Sequence, residues 1–133
     1  MPAIAIAKRV MISPRKAGVV VDLVRGRSVA DALVILDHTP RRSAKTIKET
    51  IKCAQANATH DHNLKPESLQ ITSITVTPGP RYKRYRPAAR GRALPYARQT
   101  SHIRVEVDGV IRTIKKPAAS LTEKTSQTKE KKV

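Results

Sequence analysis

All three tyrosines of this chain, Tyr82, Tyr85 and Tyr96, fall between Pro78 and Ser101, and there is no Phe or Trp anywhere. The same stretch, PGPRYKRYRPAARGRALPYARQTS, carries seven Arg or Lys residues and no acid. This constrains the fold twice. The core has to come from aliphatic side chains, and the segment that holds the aromatic rings has almost nothing else to bury. Crowding its cations together without counter-charges is unfavourable, so the segment is expected outside the core, where phosphates could supply those charges.

The aliphatic residues are ordered along the chain. Ile4, Ile6, Val10 and Ile12 share one parity and predict a first strand with one half-buried face. Ser13–Pro14 joins a cap residue to proline at the first helical position. Ala17, Val20, Val21 and Val24 follow at helical spacing, and Gly26 supplies the stop. A short second helix is predicted after Ser28, with Val29, Ala32, Leu33 and Leu36 on one face. Thr39–Pro40 repeats the start signal. A third helix is predicted to about Thr59, and the alanines of its stripe (Ala44, Ile47, Ile51, Ala54, Ala58) let neighbours approach closely.

Strands follow. LQITSITVT, from Leu69 to Thr77, is β-branched and threonine-rich. Its apolar phase slips between Ile71 and Ile74, which predicts a bulge or twist. SHIRVEV alternates cleanly, with Ile103, Val105 and Val107 on one face. The basic stretch lies between these strands with both ends pinned, as an extension at about residues 78–101. The predicted architecture over residues 1–114 is α+β: three helices packed on a small three-stranded antiparallel sheet, with a long basic β-hairpin extension. Residues 115–133 are polar, lysine-rich and aperiodic, and are predicted to be a disordered tail.

Charge narrows the function. The net charge is +17 over 133 residues, which predicts a polyanionic partner. A membrane fits poorly, since no apolar run approaches the roughly 20 residues of a spanning helix. MPAIAIAKRV is a poor signal peptide, because Lys8 and Arg9 end its short apolar stretch rather than precede it. The single cysteine, Cys53, excludes an internal disulfide and fits a reducing, cytoplasmic compartment. His60, Asp61 and His62 lack the second cysteine and the spacing of a zinc site, so no metal is predicted; imidazoles there suit the end of the third helix. His38 and His102 could be imagined as a nuclease pair, but nothing joins them, and paired carboxylates and a glycine-rich phosphate loop are both missing. No enzyme activity and no cofactor are predicted.

Tyrosine among arginines suits RNA. Rings and guanidinium planes stack on exposed bases, at about 1–3 kcal/mol per base, while cations meet phosphates. The hairpin candidates are Arg81, Tyr82, Lys83, Arg84, Tyr85, Arg86, Arg90, Arg92, Tyr96 and Arg98, with His102 at the foot. Two helix starts, SPRK and TPRR, place Arg15, Lys16, Arg41 and Arg42 at the positive end of a helix dipole, a cost that a bound phosphate would offset. Arg41, Lys45, Lys48 and Lys52 share a face of the third helix, which either RNA or solvent accounts for, the latter with a supporting Lys45–Glu49 pair. Lys8, Arg9, Arg25 and Arg27 complete the set. Arms of about twelve residues at about 3.3 Å per residue would carry the tip about 40 Å beyond the sheet.

Four motifs together carry a family likeness: ISPRKAGVVVDLVRG, ALVILDHTPRRSAKTIKETIKCAQANATH, KRYRPAARGRA and TSHIRV. Through them the chain, from about Ala3 to Val107, resembles the universal large-subunit ribosomal protein twenty-two family in its bacterial form. The resemblance implies a structural constituent of the large subunit of the cytoplasmic ribosome that binds rRNA, supports assembly and lines the polypeptide exit tunnel with its hairpin. It implies neighbouring ribosomal proteins as partners, including number four at the tunnel constriction, and the nascent polypeptide. It puts Ala88, Ala89, Arg90, Gly91, Arg92 and Ala93 at the tunnel tip. The chain departs from the family pattern at ALPYARQ, where many members are more basic. Pro95 cannot donate to a ladder there, which leaves the path of the returning arm open. The tail after Lys115 lies beyond the resemblance. A free-standing basic RNA chaperone is the competing class.

Overall fold

The computed structural model describes residues 2–112. In chain order they form β1 (Ala3–Val10), α1 (Pro14–Val24), α2 (Val29–His38), α3 (Arg42–His60), β2 (Gln70–Pro87) and β3 (Ala93–Asp108). Short 3₁₀ turns at Pro66–Ser68 and Ala89–Gly91 lie on either side of β2. The tail predicted at 115–133 lies outside the described residues.

Most helix ends follow local chemistry. Pro14 opens α1, and Gly26 leaves it with φ +71, a conformation that glycine adopts without strain. Ser28 caps α2: its hydroxyl accepts from the Asp31 N–H at 3.2 Å and donates to the Asp31 carboxylate at 2.8 Å. Thr39–Pro40 behaves otherwise than expected. Thr39 closes α2 and donates its hydroxyl to the Ile35 carbonyl at 2.7 Å. The cap of α3 is Arg41, which makes no side-chain cap bond. The hydroxyl found a free carbonyl behind it before it could serve a free N–H ahead.

The sheet is antiparallel with order β1-β3-β2. The helices cover one side of it. Ile103, Val105 and Val107 of the central strand meet Val20, Val21 and Val24 of α1 and the α3 stripe in one aliphatic core. Ile47, Ile51, Ala54 and Ala58 are wholly buried, as their spacing predicts. Truncating either isoleucine to Ala would cost about 2–5 kcal/mol. The phase slip in β2 is a bulge between Ile71 and Ser73, which lets both Ile71 and Ile74 face inward.

β1 faces the opposite way from its hydrophobic pattern. Ala3 and Ala5 are buried, while Ile4 and Ile6 are 40% and 51% exposed. The register explains this. Ala3 pairs with Val107 and Ala5 with Val105, so the alanines share the helix side with buried valines. α3 packs on that side, and Asn57 donates to the Ile4 carbonyl at 3.0 Å. Small residues allow that close approach. A bulge at Lys8–Arg9, with Arg9 at φ +57, then shifts the phase and turns Val10 back against the core.

Candidate nucleic-acid interface

Beyond the last pair of β1, Val10 with Ser101, β2 and β3 continue alone as a two-stranded ladder. Its foot is built tightly. Gly79 and Pro80 oppose Thr100, one residue more on β2 than on β3. Thr100 is buried and donates its hydroxyl to the Pro80 carbonyl at 2.7 Å. On the other side, the Arg9 N–H donates to His102 Nδ1 at 3.1 Å, so His102 caps the β1 bulge. Ser13 donates to the Gln99 side chain at 3.2 Å instead of capping α1. The first turn of α1 thus has no side-chain cap and no acid; Pro14 has no N–H, the Lys16 N–H donates to the Ser13 carbonyl at 3.0 Å, and Arg15 and Lys16 are exposed. Lys8, Arg9, His102 and the start of α1 all gather around the hairpin's foot.

From Arg81–Gln99 to Pro87–Ala93 the ladder runs without interruption, and Pro95 does not disturb it. The Ala88 N–H donates to the Arg92 carbonyl at 2.8 Å. Hydrogen-bonded and open pairs alternate in an antiparallel ladder, so Tyr85–Pro95 and Pro87–Ala93 are open pairs that require no N–H. Nine strand steps from Pro78 to Pro87, at about 3.3 Å each, span about 30 Å. The turn then caps the ladder, with Arg90 at φ +60 and Gly91 at φ +70. Glycine adopts that region freely; Arg90 accepts it at a cost.

The register sorts the hairpin into two faces. Tyr82, Arg84 and Arg86 face the same way as Leu94, Tyr96 and Arg98. Tyr96 lies opposite Arg84 and Tyr82 opposite Arg98, while the Arg86 guanidinium sits 5.7 Å from the Tyr96 ring centre. The other face holds Arg81, Lys83 and Tyr85 beside Ala93, Pro95 and Ala97. Tyr85 is 69% exposed and Tyr96 48%. No core packing accounts for these rings.

The helix cations divide. Lys48 is taken: its ammonium hydrogen-bonds Asp37 and holds that carboxyl below the usual carboxylate range. Arg25 pairs with Asp22 at 3.3 Å, and Arg27 donates to the Leu23 carbonyl at 2.9 Å. The Lys45–Glu49 pair that would support a purely solvated face does not form. Besides Lys48–Asp37 and Arg25–Asp22, only Arg104–Glu106 makes an ion pair among the described residues, which leaves Arg41, Arg42, Lys45 and Lys52 exposed with no carboxylate partner there. Among those residues no cluster of His, Cys, Asp or Glu could hold a metal, and no helix is long and apolar enough to cross a membrane.

The sequence that builds this arrangement is similar to known proteins. The family model for ribosomal protein L22p/L17e matches residues 5–108. The chain belongs to this family. It is 50% identical over 107 residues to large ribosomal subunit protein uL22 of Clostridioides difficile, covering 80% of this chain and 96% of that one. The proteins of the same name from Lacticaseibacillus casei and Desulforamulus reducens are 47% and 48% identical, over 79% and 80% of this chain and 90% and 95% of theirs. Membership makes the chain a ribosomal protein of bacterial type, in a family that is structural and not enzymatic. Sequence reasoning missed the residues that seat the hairpin: Ser13, Gly79, Gln99 and Thr100. The one available signal was a Gly between prolines in a strand pattern, which marks bulges and close approaches.

Proposed function

We propose that the chain is a structural constituent of the large ribosomal subunit in the cytoplasm, as its relatives are named, and that it holds large-subunit rRNA with the hairpin and the helix starts. The observation that carries this reading is the hairpin face on which exposed Arg84, Arg86, Tyr96 and Arg98 surround a half-buried Tyr82. Rings and guanidinium planes alternate there at the spacing of a strand pair, suited to unpaired bases and the phosphates beside them. Arg15, Lys16, Arg41 and Arg42 add phosphate contacts at helix starts that lack acids. Binding of this spread-out kind supports subunit assembly, because one chain bridges several RNA segments. The tip, Ala88–Ala93, is small and carries two adjacent left-handed residues, a shape suited to a narrow passage such as the exit tunnel. There it would face the nascent polypeptide and ribosomal protein number four.

Stoichiometry tests the reading. A tagged chain expressed in a bacterium should remain on large subunits after a high-salt wash, at one copy per subunit. A free-standing RNA chaperone would wash off or remain substoichiometric, and either result would refute the proposal.

A further inference from the structure

The sheet has a bare side. Away from the helices, three rows of residues cross β1, β3 and β2: Ile4–Glu106–Ser73, Ile6–Arg104–Thr75, and Lys8 and Arg9 with His102 and Thr77. The lower rows and Pro80 enclose a groove of about 710 Å³. Nothing in the described chain covers it.

The composition of this side is unusual for an outer sheet face, which is normally polar. Its first strand turns alanine inward and isoleucine outward. Two neighbouring isoleucines, 40% and 51% exposed, add to stability only if something covers them. The charge says what kind of partner. Glu106 is held by Arg104 at 2.6 Å, so it is neutralised locally and Lys8 and Arg9 remain unpaired. The other acid of this side, Asp108, lies at the far end beside Gln70. The end next to the hairpin's foot is therefore cationic. The only aromatic ring on this side is the His102 imidazole, which is tied to the Arg9 N–H, so there is no ladder of rings and guanidinium planes like that of the hairpin. It offers instead the hydroxyls of Thr75 and Thr77, two aliphatic side chains and two cations.

That set matches an RNA duplex seen from its minor groove. A-form RNA presents a wide, shallow surface there, with 2′-hydroxyls and the apolar faces of riboses between two lines of phosphate. We infer that the bare side of the sheet is a second RNA-docking surface, which takes the minor-groove side of a duplex, while the hairpin takes unpaired bases. The inference rests on the proposal that the chain sits on large-subunit rRNA, but it concerns a separate surface and a separate RNA form.

The test uses the full chain in assembled subunits, in a Cys53→Ser background that removes the only native thiol. Presence of the Cys53→Ser chain on salt-washed subunits checks the parent proposal alone. Thr75→Cys then reports coverage: its alkylation by a small thiol reagent should slow at least tenfold on the subunit compared with the free protein. Ile4→Cys at the rim, carrying tethered iron–EDTA, reports what covers it. Hydroxyl radicals should cut both strands of one rRNA helix, with the cuts offset as they are across a minor groove. Unslowed alkylation means that the side is open and overturns the inference. Slowed alkylation without paired RNA cuts means that a protein covers it, and overturns the inference equally.

Discussion

Any Cβ at position 79 would lie 2.6 Å from the Thr100 hydroxyl oxygen, which is itself held by its bond to the Pro80 carbonyl. Thr100 is buried and β-branched, so its hydroxyl cannot swing away cheaply. Gly79→Ala should destabilise the free protein by about 1–3 kcal/mol, the usual cost of overpacking. Thr100→Ala should cost about 1 kcal/mol for its hydrogen bond. The double variant should be less destabilised than the sum of the two, because removing the hydroxyl makes room for the new methyl. Denaturant melts of the four proteins check this. Additive losses would mean that the bulge adapts by other means.

The ladder above Gly79 has no third strand and little to bury, and isolated two-stranded hairpins are marginal in water. Limited trypsin treatment of the free protein should therefore cut first between Arg81 and Arg98, and these cuts should disappear on the large subunit. Equal protection in the free state would contradict both halves of this expectation.

Arg15 and Lys16 stand where the helix dipole is positive. Replacing both with Ala should weaken RNA binding and flatten its salt dependence, by up to about one logarithmic unit of slope for each phosphate left without a cation. Helix stability should hold or rise by up to about 1 kcal/mol, because cations leave the positive end. A fall in stability with an unchanged salt slope would make the two residues structural.

Deleting Ala88–Ala93 and closing the ladder with a two-residue turn should leave the chain on the subunit, since the groups proposed to bind RNA are spread over the arms, the foot and the helix starts. Translation of stall-prone nascent chains should change. Failure to incorporate would make the tip an assembly anchor; unchanged stalling would keep it out of the tunnel.

The Asp37–Lys48 pair ties α2 to α3. Lys48 lowers the Asp37 pKa in the folded state, so the pair's contribution is present above the ordinary carboxylate pKa and is lost as pH falls through the lowered value. The stability difference between the native chain and Asp37→Asn should be small at neutral pH and vanish in acid. A difference that persists below that range would assign it to something other than the charge.

The three helices, the β2 bulge and the inward face of β3 were legible without a structure, because each is written in local spacing. Val20, Val21 and Val24 lie at helical spacing, and Ile71 and Ile74 betray their bulge by breaking a period of two. The basic Tyr–Arg stretch could be read as an exposed hairpin because nothing in it could offset the cost of burial. Thr39 misled, since a hydroxyl beside proline serves a helix end as well as a helix start. Lys48 looked like part of a cationic stripe until Asp37, on another helix, turned out to be its partner.

What the sequence determined by itself is the set of elements and the sign of the partner. Helical spacing depends only on neighbours along the chain, and the charge of +17 only on composition. What the tertiary structure alone decided is which face each strand turns inward and how the hairpin is seated. Ala3 reaches the core because it pairs with Val107, and Gly79 is required because Thr100 stands across from it. Both relationships join residues far apart in the chain, and strand register sets them, since a slip of one residue would turn every side chain to the other face.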